Sequence, residues 1–158
     1  DGVPYAGVVY EPIHDEMYWA EKGSGAFLNG RRLRVSGRKD MSESLFSTGI
    51  PFLGAKDHPQ FLKELEAVMA VSAGVRRFGS AALDLAYVAA GRYDGFWETG
   101  LNAWDIAAGI VLVREAGGLV YEIDGGTKML DSGNILATNS PLQTPLGKIL
   151  RSANKTSK

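Results

Sequence analysis

The sequence contains no cysteine and only two histidines among its 158 residues. The absence of cysteine excludes disulfide bonds, thiolate metal sites and a cysteine nucleophile. His14 and His58 lie far apart, each near a proline, in neither a metal-binding spacing nor a catalytic-triad arrangement. The sequence therefore gives no indication of histidine- or cysteine-based chemistry.

The chain also lacks a long apolar stretch and a strong net charge. No run approaches the ~20 apolar residues that span a bilayer, so no membrane contact is expected. The formal net charge is −1, which gives no overall reason to expect nucleic-acid binding. A hydrophobic fraction of 45% is typical of a folded globular protein. Together with the absence of cysteine, this composition fits a cytoplasmic location.

Residues 1–36 have the pattern of an antiparallel sheet with one solvated face. Short β-rich runs of alternating polarity are separated by turns, of which Asn29–Gly30 is the strongest hairpin signal. Asp1–Gly2 is also a hairpin pair, yet no strand precedes it to pair with the strand predicted from Val3 to Tyr10. We therefore expect residues 1–36 to belong to a truncated sheet whose first hairpin lacks one strand.

Residues 37–158 alternate between helical and strand patterns, which predicts a layered α/β domain, that is, an α/β (α+β layered) fold. The predicted strands are 45–50, 75–78, 93–98, 119–123 and 135–138, and the predicted helices are 58–71, 80–90, 103–116 and one from about residue 141. The first of these helices is amphipathic, with an apolar face formed by Phe61, Leu62, Leu65, Val68 and Met69.

The third helix is unusual because Asp105 is the one charged residue between Ala103 and Val113. A helix that is apolar all round is normally buried, and a carboxylate at its start needs hydrogen bonds, a basic partner or a metal. A carboxylate oxygen suits a hard cation such as Mg²⁺. The structural alternative is that Asn102 caps the helix and Asp105 stabilises its dipole from the first turn.

Two further segments have features of a binding site. Glu98 ends an apolar strand shortly before Asp105, and open α/β sheets bind ligands at strand ends. It can equally be an ordinary exposed glutamate. Gly79–Ser80–Ala81 opens the second helix, where free N–H groups can meet a phosphate or hydroxyl groups, although most helices begin in this way without binding anything.

A basic cluster follows the predicted hairpin and consists of Arg31, Arg32, Arg34, Arg38 and Lys39. Its position on a strand next to a turn favours a solvated face over an RNA-binding patch. Nucleic acid is therefore not an expected partner.

Taken together, these segments resemble the inositol monophosphatase family over nearly the whole chain. The family's C-terminal signature is a Trp-Asp pair opening a helix that ends in Glu-Ala-Gly-Gly, here Trp104–Asp105 and residues 115–118. Residues 76–82 and 94–98 fall where family members carry their substrate segments, and residues 2–10 are similar to the family's central sheet.

The resemblance implies the C-terminal part of an α-β-α-β-α sandwich, in a usually dimeric, lithium-inhibited, Mg²⁺-dependent phosphatase. The substrate would be inositol 1-phosphate or another small phosphorylated cyclitol or sugar. By the same resemblance, Asp105 is a metal ligand beside the substrate. Gly79, Ser80 and Ala81 line the hydroxyl side of the substrate, and Glu98 accepts a hydrogen bond from a ring hydroxyl.

The sequence departs from the family pattern at its start. Family members place an acidic pair and an Asp-Pro-x-Asp-Gly-Thr motif before the point where this chain begins. Residues 124–127 match that motif only in part. Metal-assisted hydrolysis needs ions that polarise the phosphoryl group and generate hydroxide. We therefore expect no catalytic residue within this chain and no activity from the chain alone.

Other functions remain open from the sequence. Related family members act on sugar bisphosphates, histidinol phosphate or nucleotide 3′-phosphates. A function of another class is also open, namely an RNA- or transcription-associated scaffold with a phosphatase fold. The feature that supports this function is the basic cluster.

Overall fold

The fold is that of a computed structural model, which describes residues 2–54 and 57–155. The turn predicted at Asp1–Gly2 therefore lies partly outside the described residues. Within them, no helix combines the length and hydropathy needed to cross a bilayer.

The first sheet is an antiparallel meander in the order β1-β2-β3-β4. Its strands are β1 (Ala6–Glu11), β2 (Glu16–Glu21), β3 (Gly25–Leu28) and β4 (Arg31–Arg32). The predicted Asn29–Gly30 turn is present, with φ angles of 46° and 78° that the type I′ geometry requires. Inward side chains such as Val9 and Tyr18 are buried, whereas the outer face keeps Val8 and Tyr10 exposed.

The strand that follows the Asn29–Gly30 turn is short, because β4 holds only two residues. The Leu33 N–H still bonds to the Ala26 carbonyl at 2.8 Å. The Val35 N–H instead bonds to the carbonyl of Ala116 at 3.1 Å. The chain therefore leaves the sheet after Leu33, and the Val35 N–H group is paired with a carbonyl at the end of a helix instead of with β3.

The second sheet is mixed, in the order β6-β5-β7-β9-β8. Its strands are β5 (Leu45–Thr48), β6 (Gly74–Arg76), β7 (Gly95–Glu98), β8 (Leu119–Tyr121) and β9 (Ile135–Thr138). β5, β6 and β7 run parallel, and β9 is antiparallel to β7 and β8. The carboxyl ends of the three parallel strands consequently lie at one edge of the sheet.

The helices are α1 (His58–Met69), α2 (Ala81–Ala89), α3 (Ala103–Glu115), α4 (Met129–Ser132) and α5 (Ser140–Lys155), with a 3₁₀ turn at Met41–Glu43. Sequence periodicity did not predict α4, since four residues are too few to show a helical repeat. The turn after α4 requires Gly133, whose φ is 69° and where a Cβ would collide with the backbone of Leu101.

The helices and sheets stack in four layers. α2 and α3 pack between the two sheets. Leu85 of α2 lies so close to Gly109 of α3 that a Cβ at position 109 would collide with the Leu85 side chain. α1 and α5 cover the other face of the second sheet. This arrangement confirms the predicted α/β (α+β layered) fold. It also explains why α3 is apolar on several sides, since β1, β2, β3, α2, β8 and β9 all contact it.

Two details of the predicted helix faces are wrong. Trp104 at the start of α3 is 79% exposed, so the first turn of that helix is not buried. In α1 the buried side is rotated from the predicted apolar face, because Leu62 and Met69 are exposed while Glu64 is 3% exposed. Glu64 is tolerated inside because it accepts a hydrogen bond from the indole N–H of Trp97 at 3.2 Å.

Candidate functional site

All five residues selected from the sequence line one cleft of about 360 Å³. They are Gly79, Ser80, Ala81, Glu98 and Asp105, and the remaining lining residues are Gly49, Ile50, Arg77, Ala82, Leu101 and Trp104. The cleft forms because these residues follow the carboxyl ends of the parallel strands or open the helices after them. Their roles as ligand or substrate contacts stay predictions.

Asp105 lies in the first turn of α3 and is half-buried. Asn102 is the N-cap and Asp105 lies in the first turn, as the structural alternative supposed, and Asp105 Oδ2 accepts the backbone N–H of Asn102 at 2.9 Å as part of a capping box. This hydrogen bond engages one carboxylate oxygen. The capping role is therefore compatible with a ligand role for the other oxygen.

Glu98 ends β7 and packs directly against Gly49, where a Cβ would collide with its carboxylate. Burial raises the pKa of Glu98 to about 7, and the negative charges of Asp84 and Asp105 add to this effect. The positive charge of Arg77 opposes it. Near neutral pH the Glu98 carboxyl group therefore exists in both protonation states and can either accept or donate a hydrogen bond.

The N-terminal end of α2 forms another wall of the cleft. Gly79 has a φ of 96°, a conformation that glycine adopts without strain, and it leads into Ser80 as the N-cap. The Ser80 hydroxyl oxygen accepts the Leu83 N–H at 3.5 Å. Because Ala81 and Ala82 line the cleft, the positive end of the helix dipole lies beside it. With Arg77, this wall favours an anionic ligand.

Asp84, one turn further into α2, is 1% exposed and was not identified from the sequence. Asp84 Oδ1 and the hydroxyl of Ser47 are both buried, and Ser47, together with Arg77, favours the ionised form of Asp84. Burial raises the pKa of Asp84 to about 7. This group influences the cleft through the electric field that it exerts on Glu98.

Sequence reasoning also missed Gly49 and Arg77 as parts of the site. Arg77 stands in the segment identified as similar to the family's substrate region, so its position was a usable signal. Gly49 gave no signal, because its importance lies in a contact with a residue far away in the sequence.

The described residues do not form a complete metal centre by themselves. Among residues 2–54 and 57–155, no three aspartate, glutamate or histidine side chains converge on a point that could hold an ion. Mg²⁺ prefers an octahedral set of oxygen ligands, and Asp105 can supply only a small part of that set.

Sequence comparison identifies relatives of this chain among curated proteins. A sequence 58% identical over 146 residues is the "Inositol-1-monophosphatase" of Mesorhizobium japonicum, matched over 92% of this chain and 55% of the relative. The "Nus factor SuhB" of Pseudomonas aeruginosa is 50% identical over 135 residues, which are 84% of this chain and 50% of the relative.

Solved structures give the same result. The extragenic suppressor protein suhB from Bartonella henselae superposes with a TM-score of 0.92 at 52% identity, over 95% of this chain and 58% of that one. An inositol monophosphatase from Anabaena has a TM-score of 0.88 at 42% identity, over 96% of this chain and 62% of that one.

The chain spans about half the length of the curated relatives that it matches. The profile of the inositol monophosphatase family matches residues 1–157. This chain therefore belongs to the inositol monophosphatase family.

Proposed function

We propose that this chain forms the substrate-hydroxyl side of a Mg²⁺-dependent phosphatase that acts on inositol 1-phosphate. The observation that carries the proposal is the convergence of Asp105, Glu98 and the start of α2 on one cleft. One carboxylate can bind the metal that holds the phosphate, the second can accept a hydrogen bond from a ring hydroxyl, and the free N–H groups at the start of α2 can donate to ring hydroxyl oxygens.

Each residue has a separate task in this proposal. Asp105 binds Mg²⁺ through the carboxylate oxygen that does not cap α3, and it lies beside the substrate. Glu98 accepts a hydrogen bond from a ring hydroxyl, and Gly79, Ser80 and Ala81 line the same side of the ring. The bound ion would polarise the phosphoryl oxygens and activate the attacking water.

The remaining metal ligands, in this proposal, come from the part of the relatives that this chain does not match. One carboxylate gives weak and incomplete coordination of Mg²⁺. The chain alone is therefore expected to bind Mg²⁺ weakly and to release no phosphate. In the same proposal, the whole phosphatase is a cytoplasmic homodimer that lithium inhibits. This chain contributes two parts to it, residues 1–36 of a first sheet and residues 37–158 of a layered α/β domain.

A chimera tests this function. The part of the Mesorhizobium japonicum protein that this chain does not match would be joined to this chain, and phosphate release would be measured with and without Mg²⁺. We expect Mg²⁺-dependent hydrolysis of inositol 1-phosphate by the chimera and none by the chain alone. A sugar bisphosphate, histidinol phosphate and a nucleotide 3′-phosphate would be compared as substrates. A chimera that folds but hydrolyses none of these phosphates would refute the proposal.

A second candidate function is a role in transcription, favoured by the 50% identity to a protein named Nus factor SuhB. The basic cluster Arg31, Arg32, Arg34, Arg38 and Lys39 is exposed, and Arg38 also forms an ion pair with Asp94 at 3.3 Å. RNA binding that weakens steeply with salt, and that is lost when these five residues are neutralised, would support this function. Salt-independent or undetectable binding would exclude it.

A further inference from the structure

A buried carboxyl group lies behind Glu98 on the side away from the cleft. Glu64 projects from α1, on the other face of the second sheet, and is 3% exposed. A buried carboxyl group is costly unless hydrogen bonds satisfy it, so its position in the core calls for a physical explanation. None of the site contacts described above involves it.

Glu64 is held by donors from three elements. Its Oε2 accepts the Trp97 indole N–H at 3.2 Å, and its Oε1 accepts the Gln60 amide at 3.3 Å. The Asn154 amide of α5 also hydrogen-bonds to the carboxyl group of Glu64 and favours its ionised form. Burial nevertheless raises the pKa of Glu64 above its ordinary value. The group is therefore fixed in place by the two helices and the strand that surround it.

A small cavity of about 20 Å³ is lined by both Glu64 and Glu98. Thr48, Trp97 and Thr99 also contribute to its wall. A cavity of this size holds one water molecule when it offers two to four polar partners, as this one does. Gly49 and Glu98 line this cavity as well as the cleft, so Glu98 stands between the two spaces.

A second connection runs through the strand. Trp97 directly precedes Glu98 in β7, and its backbone carbonyl accepts the Thr48 hydroxyl at 2.8 Å. The Trp97 side chain is 1% exposed and is anchored at its indole nitrogen by Glu64. Glu64 thus fixes the end of the strand from which Glu98 projects.

We propose that Glu64 is a positioning residue for Glu98, which it holds through the Trp97 indole and through one water molecule bound between the two carboxyl groups. The inference rests on the proposed function in so far as Glu98 binds a substrate hydroxyl. It assigns the selectivity for a polyhydroxylated substrate to a residue that touches neither the substrate nor the metal.

The first test is structural and uses the 158-residue chain itself. A crystal structure should show an ordered water bonded to both Glu64 and Glu98, with Glu98 in one conformer. In Glu64→Leu the water should be absent and Glu98 should move or occupy two conformers. Glu66→Gln is the matched control, because Glu66 lies on the same helix and is exposed. An unchanged Glu98 in Glu64→Leu would overturn the proposal whether or not the protein is a phosphatase.

The second test is kinetic and uses the chimera defined above. Glu64→Leu should raise KM for inositol 1-phosphate about tenfold with little change in kcat, because a hydrogen bond of the bound substrate is weakened. KM for 4-nitrophenyl phosphate, which has no ring hydroxyl, should stay unchanged. Glu64→Gln should restore most of the lost affinity, since its amide oxygen still accepts the Trp97 N–H. Equal effects on both substrates would show a merely structural role.

A double-mutant cycle separates action through Glu98 from an independent effect. In a chimera already carrying Glu98→Gln, Glu64→Leu should change KM by less than about twofold. Additive effects of the two substitutions would overturn the proposal. If the unsubstituted chimera shows no activity, the proposed function fails, and the crystallographic comparison still decides the present inference.

Discussion

The carboxylate of Glu98 occupies the space that a Cβ at Gly49 would fill, so that a side chain at position 49 fits only if Glu98 moves. This contact joins the loop after β5 to the end of β7, the two neighbouring parallel strands whose ends form the cleft. The absence of one methyl group therefore determines where the carboxyl group of the site can lie.

Gly49→Ala should accordingly displace Glu98 and weaken binding of the cyclitol substrate. We expect KM of the chimera to rise roughly tenfold, since a hydrogen bond to a charged group is lost. Gly37→Ala is the control, because a Cβ there meets nothing within 4 Å. A KM unchanged by Gly49→Ala would mean that Glu98 can bind the substrate from another position.

The layered fold, and the convergence of the five selected residues on one cleft, could be predicted from the sequence. Strands and helices alternate clearly after residue 44, and parallel strands necessarily bring their carboxyl ends to one edge. Glu98 ends one such strand, the Gly79–Ala81 segment follows another, and Asp105 opens the helix after the first of them. Local patterns were therefore sufficient to bring these residues together.

The burial of acidic side chains could not be predicted in the same way. Glu64 and Asp84 stand in helical patterns where acidic residues normally face solvent. Their burial depends on contacts with residues distant in the sequence, such as Trp97 for Glu64. Local periodicity contains no information about such contacts, and it therefore placed the exposed Leu62 and Met69 on the buried side of α1 and missed Glu64.

Asp105→Asn should remove most of the activity of the chimera while leaving its thermal unfolding nearly unchanged. The amide oxygen of asparagine can still accept the Asn102 N–H, so the cap is preserved while the charge that binds the ion is lost. Asp105→Ala should in addition cost about 1 kcal/mol of stability because the cap is lost. Turnover of Asp105→Asn close to that of the unsubstituted chimera at saturating Mg²⁺ would contradict the ligand role.

Substrate binding should depend on pH through Glu98. Its pKa is raised to about 7, so the ionised form, which is the better acceptor, becomes dominant as pH rises above that value. KM for inositol 1-phosphate should therefore fall between pH 6 and pH 8, and Glu98→Gln should have a higher KM that varies little over this range. An equal pH dependence of both proteins would assign the titration to another group.

Asp84 should make the stability of the chain depend on pH. Its pKa is raised from 3.8 to about 7 on folding, so folding favours the protonated form. The stabilisation is fully present below pH 3.8 and is lost as pH rises through about 7. At 1.36 kcal/mol for each pH unit, the loss is at most about 4 kcal/mol.

Asp84→Asn should therefore gain stability relative to the unsubstituted chain as pH rises from 5 to 8. Urea unfolding of both proteins at several pH values measures the difference directly. Asp131→Asn is the control, since Asp131 is an exposed aspartate in the short helix α4. A difference between Asp84→Asn and the unsubstituted chain that is constant with pH would show that Asp84 keeps an ordinary pKa in the folded state.

The exposed edge strand β1 of the first sheet should make the 158-residue chain associate with itself. β1 stands at an edge of that sheet, and Val8 and Tyr10 on its outer face are 61% and 50% exposed. An exposed apolar edge strand offers unpaired backbone groups to a second copy. Light scattering of the chain should therefore give a mass well above 17.0 kDa.

Val8→Lys should lower that mass, because a charge on an edge strand opposes pairing. Leu62→Lys, at a 60% exposed position on α1, is the control and should leave the mass unchanged. A mass of 17.0 kDa for the unsubstituted chain at high concentration would show that this edge does not mediate association.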